Sequence, residues 1–134
     1  MSIFYDLAQK SVEVNVQALN TVTVVATVKV KEGNTPSRLA KLGEVEVRLI
    51  DIWLGGSLEY LPVEGQPLNE YGKPVTDING KVTFPNCYAA NELLGGWNQY
   101  SLEYRHMVTG EYFYDYLYLG ESGWHFKGVD YSYA

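Results

Sequence analysis

Asp77-Ile78-Asn79-Gly80, inside "GKPVTDINGKVTF" (residues 72–84), is the first stretch whose residue types could hold a cation. An EF-hand loop needs Asp first, oxygen ligands at the third and fifth positions, glycine at the sixth and a bidentate carboxylate at the twelfth. Counting from Asp77, Asn79 fits the third position, but Gly80 arrives early and Tyr88 occupies the twelfth. A turn explains all of these residues. Asn-Gly tolerates positive φ and is the strongest short hairpin signal, and the Asp77 carboxylate can accept backbone N–H groups of the turn. Asp77, Asn79 and Gly80 are therefore read as a structural turn.

The remaining chemistry is sparse. His106 and His125 are the only histidines and lie 19 positions apart, so a structural or surface role outweighs a shared metal site. "GESGW" (residues 120–124) sets Ser122 between glycines but puts Trp124 where a nucleophile elbow needs glycine. Glu44, Glu46 and Asp51 are acidic neighbours, yet strand alternation sends Glu46 and Asp51 to opposite faces. Cys87 stands alone, which excludes an internal disulfide and reads as a small core or loop-edge residue. No catalytic residue, metal ligand or cofactor is expected.

The elements around these residues are strands. A chain of 134 residues makes one domain, and Val, Thr, Tyr and Gly set its character. Val12, Val14 and Val16 alternate with Glu13 and Asn15. Val22, Val24, Ala26, Val28 and Val30 then alternate with Thr21, Thr23, Thr27 and Lys29. "QALN" between them is either a tight connection or a bend in one long strand. Residues 32–43 form a loop, and Val45, Val47, Leu49 and Asp51 share a strand face opposite Glu46, Arg48, Ile50 and Ile52. Residues 55–72, rich in Gly and Pro, read as a long surface excursion with a short edge strand at "LEYLPV". "KVTFPN" is a strand, Ala89–Leu94 could hold one helical turn, and "GWHFKGVDYSYA" supplies a last strand. The expected fold is all-β: a single Greek-key β-sandwich of about seven strands, with residues 1–19 as an extra N-terminal strand and residues 20–134 as the sandwich.

The formal net charge of −6, with scattered Lys and Arg, argues against nucleic acid or an anionic membrane as partner. No apolar stretch reaches the roughly 20 residues of a membrane helix, and "MSIFYDLAQK" does not read as a secretory signal.

The tyrosine ladder "EYFYDYLYL" carries the main functional expectation. Tyr112, Tyr114, Tyr116 and Tyr118 face one way, with Phe113, Asp115, Leu117 and Leu119 opposite. If Thr109-Gly110 is a two-residue turn, Arg105 lies opposite Tyr114 and Glu103 opposite Tyr116. The tyrosine face then includes Ser101, Glu103, Arg105 and Met107. The other gathers Tyr100, Leu102, Tyr104, Phe113, Leu117 and Leu119 as core. Such a ladder serves as a protein interface first, as cross-strand packing second, and as a carbohydrate platform third. Trp53, Trp97 and Trp124 would join a sugar site only if folding gathered them.

"GEVEVRLID", then "GKPVTDINGKVTFPN", then "YSLEYRH" resembles the transthyretin-like (prealbumin-like) β-sandwich superfamily, which includes collagen-adhesin B-repeats and carboxypeptidase regulatory-like domains. The resemblance rests on Gly72, Pro74, Val75, Thr76, Asp77, Gly80, Val82 and Phe84. It spans roughly residues 20–120 and implies a sandwich used for adhesion, assembly or as an accessory module. A Lys–Asn isopeptide cross-link of the adhesin kind would use Lys29 or Lys31 with Glu103 as its acid, but the last strand offers no Asn. The Tyr-Arg-Gly-Ser ending of the related purine-pathway hydrolases is replaced by Tyr131-Ser132-Tyr133-Ala134.

The expectation that follows is a non-enzymatic structural or assembly protein of a virion or cell-surface filament, with itself as partner in a homo-oligomer or filament. Its contacts are Val12, Val14 and Val16 on the N-terminal strand, and Arg105, Tyr112, Tyr114, Tyr116 and Tyr118 on the ladder. The N-terminal strand can either cap its own sheet or complete that of a neighbour. The alternatives are a carbohydrate-binding or adhesive module recognising surface glycans, and an unrecognised hydrolase or metalloenzyme.

Overall fold

The computed structural model describes residues 5–18, 21–52, 58–88, 98–120 and 123–125, with side chains over 23–52, 58–87 and 100–116. The helical turn expected at Ala89–Leu94, Trp53, Trp97, Ser122 and the tail after His125 lie outside the described residues. Among the described residues there is no helix, and so none long and apolar enough to cross a membrane.

The strands are β1 (Tyr5–Ala18), β2 (Thr21–Glu32), β3 (Arg38–Leu39), β4 (Val45–Asp51), β5 (Leu58–Glu59), β6 (Lys81–Tyr88), β7 (Asn98–His106), β8 (Tyr112–Gly120) and β9 (Gly123–His125). They build two antiparallel sheets, the all-β sandwich-like fold expected from the alternation. In the first sheet β1 pairs along one side of β2, while β6 and β3 lie end to end along the other. The second sheet runs β5-β4-β7-β8-β9. "QALN" is a tight connection, because Ala18 pairs with Thr21. β1 therefore pairs within its own chain.

Both sheets turn one face to a common core. Val24, Ala26, Val28, Val30, Val82 and Phe84 come from the first sheet, and Val45, Val47, Leu49, Tyr100, Leu102 and Tyr104 from the second, all fully buried. Period-two patterning produces this directly, since each strand presents alternate residues to the facing sheet. Phe113 departs from expectation: although it shares the core-side face, it is 40 % exposed. It sits on β8, one strand beyond the fully buried Tyr104 that it opposes, and β9 reaches only Tyr118–Gly120.

Two junctions shape the sandwich. Pro74–Thr76 runs along the β4 edge, with Val47 N bonded to Pro74 O and Thr76 N to Val45 O. The chain then crosses to the first sheet through the turn 77–80. There Asp77 Oδ1 accepts the N–H groups of Asn79 (2.8 Å) and Lys81 (3.0 Å), and Gly80 N bonds Asp77 O. Gly80 has φ +73° and seats where β6 meets β3 on β2. A Cβ there would lie 3.0 Å from Val28 O and 3.2 Å from Ala40 N. Further on, β6 takes a bulge between Phe84 and Cys87 that accommodates Pro85, with Asn86 at φ 58°.

The excursion over 58–74 is tied to the sandwich by hydrogen bonds. Gln66 Nε2 donates to Val75 O (2.9 Å) and Lys81 O (3.0 Å), and its Oε1 accepts from Thr83 N (3.1 Å). Asn69 Oδ1 accepts from Tyr71 N and Lys73 N, closing a turn beside β4.

Candidate functional site

β4, β7 and β8 present one continuous outer face. Since directly paired residues share a face, the register builds it in rows: Glu46, Arg105 and Tyr112, then Arg48, Glu103 and Tyr114, then Ile50, Ser101 and Tyr116. This corrects the expected hairpin register. Arg105 opposes Tyr112, not Tyr114, and Glu103 opposes Tyr114, not Tyr116. The connection is a loop over 107–110 rather than a two-residue turn, closed by His106 N to Glu111 O and Gly110 N to His106 O. A shift of two residues leaves every side chain on its expected face.

The loop takes this form because His106 organises it. Its fully buried ring accepts from Val108 N (3.2 Å) and Thr109 N (3.3 Å) at Nδ1, and its Nε2 lies 2.9 Å from Glu44 Oε2. Those contacts fit the neutral ring protonated on Nε2. Met107 N bonds Glu44 O, which draws the loop onto the start of β4.

Tyr112, Tyr114 and Tyr116 are 44 %, 54 % and 37 % exposed. Their rings lie at centroid distances of 6.3 Å (Tyr112–Tyr114, 39° between planes) and 5.5 Å (Tyr114–Tyr116, 71°). The Tyr112 hydroxyl donates to Glu103 Oε1 at 2.6 Å, and the Arg105 guanidinium lies 5.5 Å from the Tyr112 ring centre. Partial burial and the Glu103 carboxylate push the Tyr112 phenol up to about 12.

The charges beside the tyrosines are paired within the face. Arg105 Nε lies 3.6 Å from Glu46 Oε2, and Asn69 Nδ2 donates to Glu46 Oε1 at 3.0 Å. Arg48 bonds Glu59 and lies 4.0 Å from Glu103, while Lys73 Nζ bonds Glu59 at 2.5 Å. The face is thus an aromatic row bordered by compensated charges.

Of the other anticipated contacts, Tyr118 opposes Gln99 and His125 by register at the far end of the second sheet. Val12, Val14 and Val16 pair by register with Ala26, Val24 and Val22 of β2. Among the described residues β1 is an edge strand of its sheet.

Positions bearing on chemistry are dispersed or engaged. His106 and Gln99, the β7 residue in register with Tyr118 and His125, stand near opposite ends of β7, about 23 Å apart at strand rise. No group of three or more His, Cys, Asp or Glu gathers among the described residues. Lys29 is on the outer side of the first sheet and Glu103 on the outer face of the second, with the core between them. That separation keeps Glu103 from serving as the acid of a cross-link made through Lys29. Cys87 is fully buried, and burial pushes its thiol up to about 12. Glu44 is gripped by Arg38.

Sequence reasoning missed Gln66, Arg38 and Glu44 as tertiary fasteners. The local signal was an Arg inside the 32–43 loop and a Glu just after it. We find no match to this chain among protein families, curated proteins or solved structures.

Proposed function

We propose that the chain is a non-enzymatic assembly module that associates with copies of itself through the outer face of β7 and β8. One observation carries the reading: three exposed tyrosines, Tyr112, Tyr114 and Tyr116, stand in a row beside Arg105 on a face whose charges are already compensated. Tyr and Arg are the residues that dominate binding energy at protein interfaces. Burying paired charges avoids the penalty of stranding one. The transthyretin-like resemblance belongs to the same proposal, because its members use a sandwich for adhesion and assembly. The edge of β1 is a second contact available to such an assembly.

The ring geometry favours a protein partner over a sugar. Stacking on a pyranose wants an open, flat aromatic face, whereas Tyr114 and Tyr116 meet at 71°. The test is light scattering coupled to size exclusion, with electron microscopy of the same fractions. The wild type is expected as a discrete oligomer or filament, and Tyr114→Ser with Tyr116→Ser as a folded monomer. Wild-type protein that remains monomeric at hundreds of micromolar would rule the proposal out.

A further inference from the structure

The charges on this face alternate in sign in both directions. Along β7, Glu103 and Arg105 are successive residues of the face, and along β4, Arg48 and Glu46 repeat the alternation with opposite sign. Such a pattern complements itself under a half-turn. If the face is rotated about an axis crossing the strands between these two rows, each charge comes to lie over its opposite and Tyr112 over Tyr114. Resting on the association reading above, we infer that the partner is a second copy of the chain, seated face to face about that two-fold axis. Arg105 of each copy lies over Glu103 of the other.

Charge complementarity selects this occupant. The whole chain carries −6, so two copies repel at most approaches. On this face three acidic side chains (Glu46, Glu59, Glu103) meet three basic ones (Arg48, Lys73, Arg105), leaving no net charge. A strongly basic or acidic partner finds nothing to match, whereas an identical face matches residue by residue. Arg105 is the most exposed of these ion-paired side chains at 51 %. Its contact with Glu46 is long at 3.6 Å, so its fork of N–H donors can take a second carboxylate. A two-fold contact of this kind is isologous and closes as a dimer.

The inference is tested by exchanging charge between copies. Arg105→Glu and Glu103→Lys, each checked for folding by circular dichroism and thermal melting, are compared with wild type by analytical ultracentrifugation. Each variant alone places like charges together and is expected to weaken self-association by about a hundredfold. An equimolar mixture, monitored by native mass spectrometry, is expected to form the heterodimer with near wild-type affinity, because one face is then acidic and the other basic. Arg105→Gln, which adds no charge beside Glu46, is expected to weaken the dimer about tenfold. Unchanged affinity in Arg105→Glu or Arg105→Gln, or a mixture that stays monomeric, overturns the two-fold register. If those results accompany association that Tyr114→Ser still abolishes, the assembly reading stands and only the register falls. A monomeric wild type removes both.

Discussion

Arg38 holds both oxygens of the Glu44 carboxylate, Nη1 to Oε1 at 2.7 Å and Nη2 to Oε2 at 2.9 Å. Lys41 N and His106 Nε2 add contacts of 2.9 Å each, so one buried carboxylate ties β3, the entry to β4 and the β7–β8 loop together. Burial alone would raise the Glu44 carboxyl, but Arg38 and the other donors overcome it and lower it from 4.5 to about 2. A carboxyl depressed in the folded state stabilises the fold above its ordinary value and loses that contribution as pH falls through the folded one. Between about pH 4.5 and pH 2, roughly 1–2 kcal/mol should disappear. The figure lies below what the full shift implies because solvent screens the partly exposed guanidinium. Urea denaturation at stepped pH checks this. Glu44→Gln should be less stable at neutral pH and flatter across the acid range, and a variant with the wild-type acid slope would refute the assignment.

Gly80 and Gly72 separate backbone strain from steric contact. Both have positive φ, +73° and +75°, but a Cβ at Gly72 meets nothing within 4 Å, whereas one at Gly80 runs into Val28 O and Ala40. Gly72→Ala should cost about 1 kcal/mol through strain alone. Gly80→Ala should cost about 2–4 kcal/mol, since the backbone of β2 and of Ala40, just after β3, must also move. Chemical denaturation of the pair measures the difference, and equal losses would show that the close approach carries no energy.

Gln66 bridges three backbone groups from two segments. Removing it in Gln66→Ala leaves Val75 O, Lys81 O and Thr83 N without that partner, which should cost about 1–3 kcal/mol. Gln66→Glu keeps the acceptor for Thr83 but turns an oxygen toward two carbonyls, so it should be the worse variant at neutral pH. Thermal melts of both variants give the order directly.

Cys87 should resist thiol reagents in the folded protein. Its side chain is fully buried and its thiol is pushed up to about 12, so little thiolate forms at neutral pH. Ellman's reagent is expected to titrate one thiol only after guanidinium is added. Rapid reaction without denaturant would place the side chain at the surface.

Much of this architecture is readable from local chemistry. The alternating Val24, Ala26, Val28 and Val30 mark the buried face of β2, and Val45, Val47 and Leu49 mark that of β4, because the pleat sends successive side chains to opposite sides. Asp77, Asn79 and Gly80 announce their turn through short-range hydrogen bonding and positive φ. The face carried by Tyr112, Tyr114 and Tyr116 is readable for the same reason, and survives an error in the hairpin register because that error is an even number of residues.

Tertiary structure decided what periodicity leaves open. The β7–β8 loop closes at His106 and Glu111 because the His106 ring is held by Glu44, 62 residues earlier in the chain. Whether β1 pairs at home, where Gln66 anchors the long excursion, and how far Phe113 emerges from the core all depend on contacts remote in sequence. Alternation is a property of the backbone pleat and repeats every two residues whatever lies opposite. Register, anchoring and exposure are set by which distant groups satisfy one another once the two sheets have met.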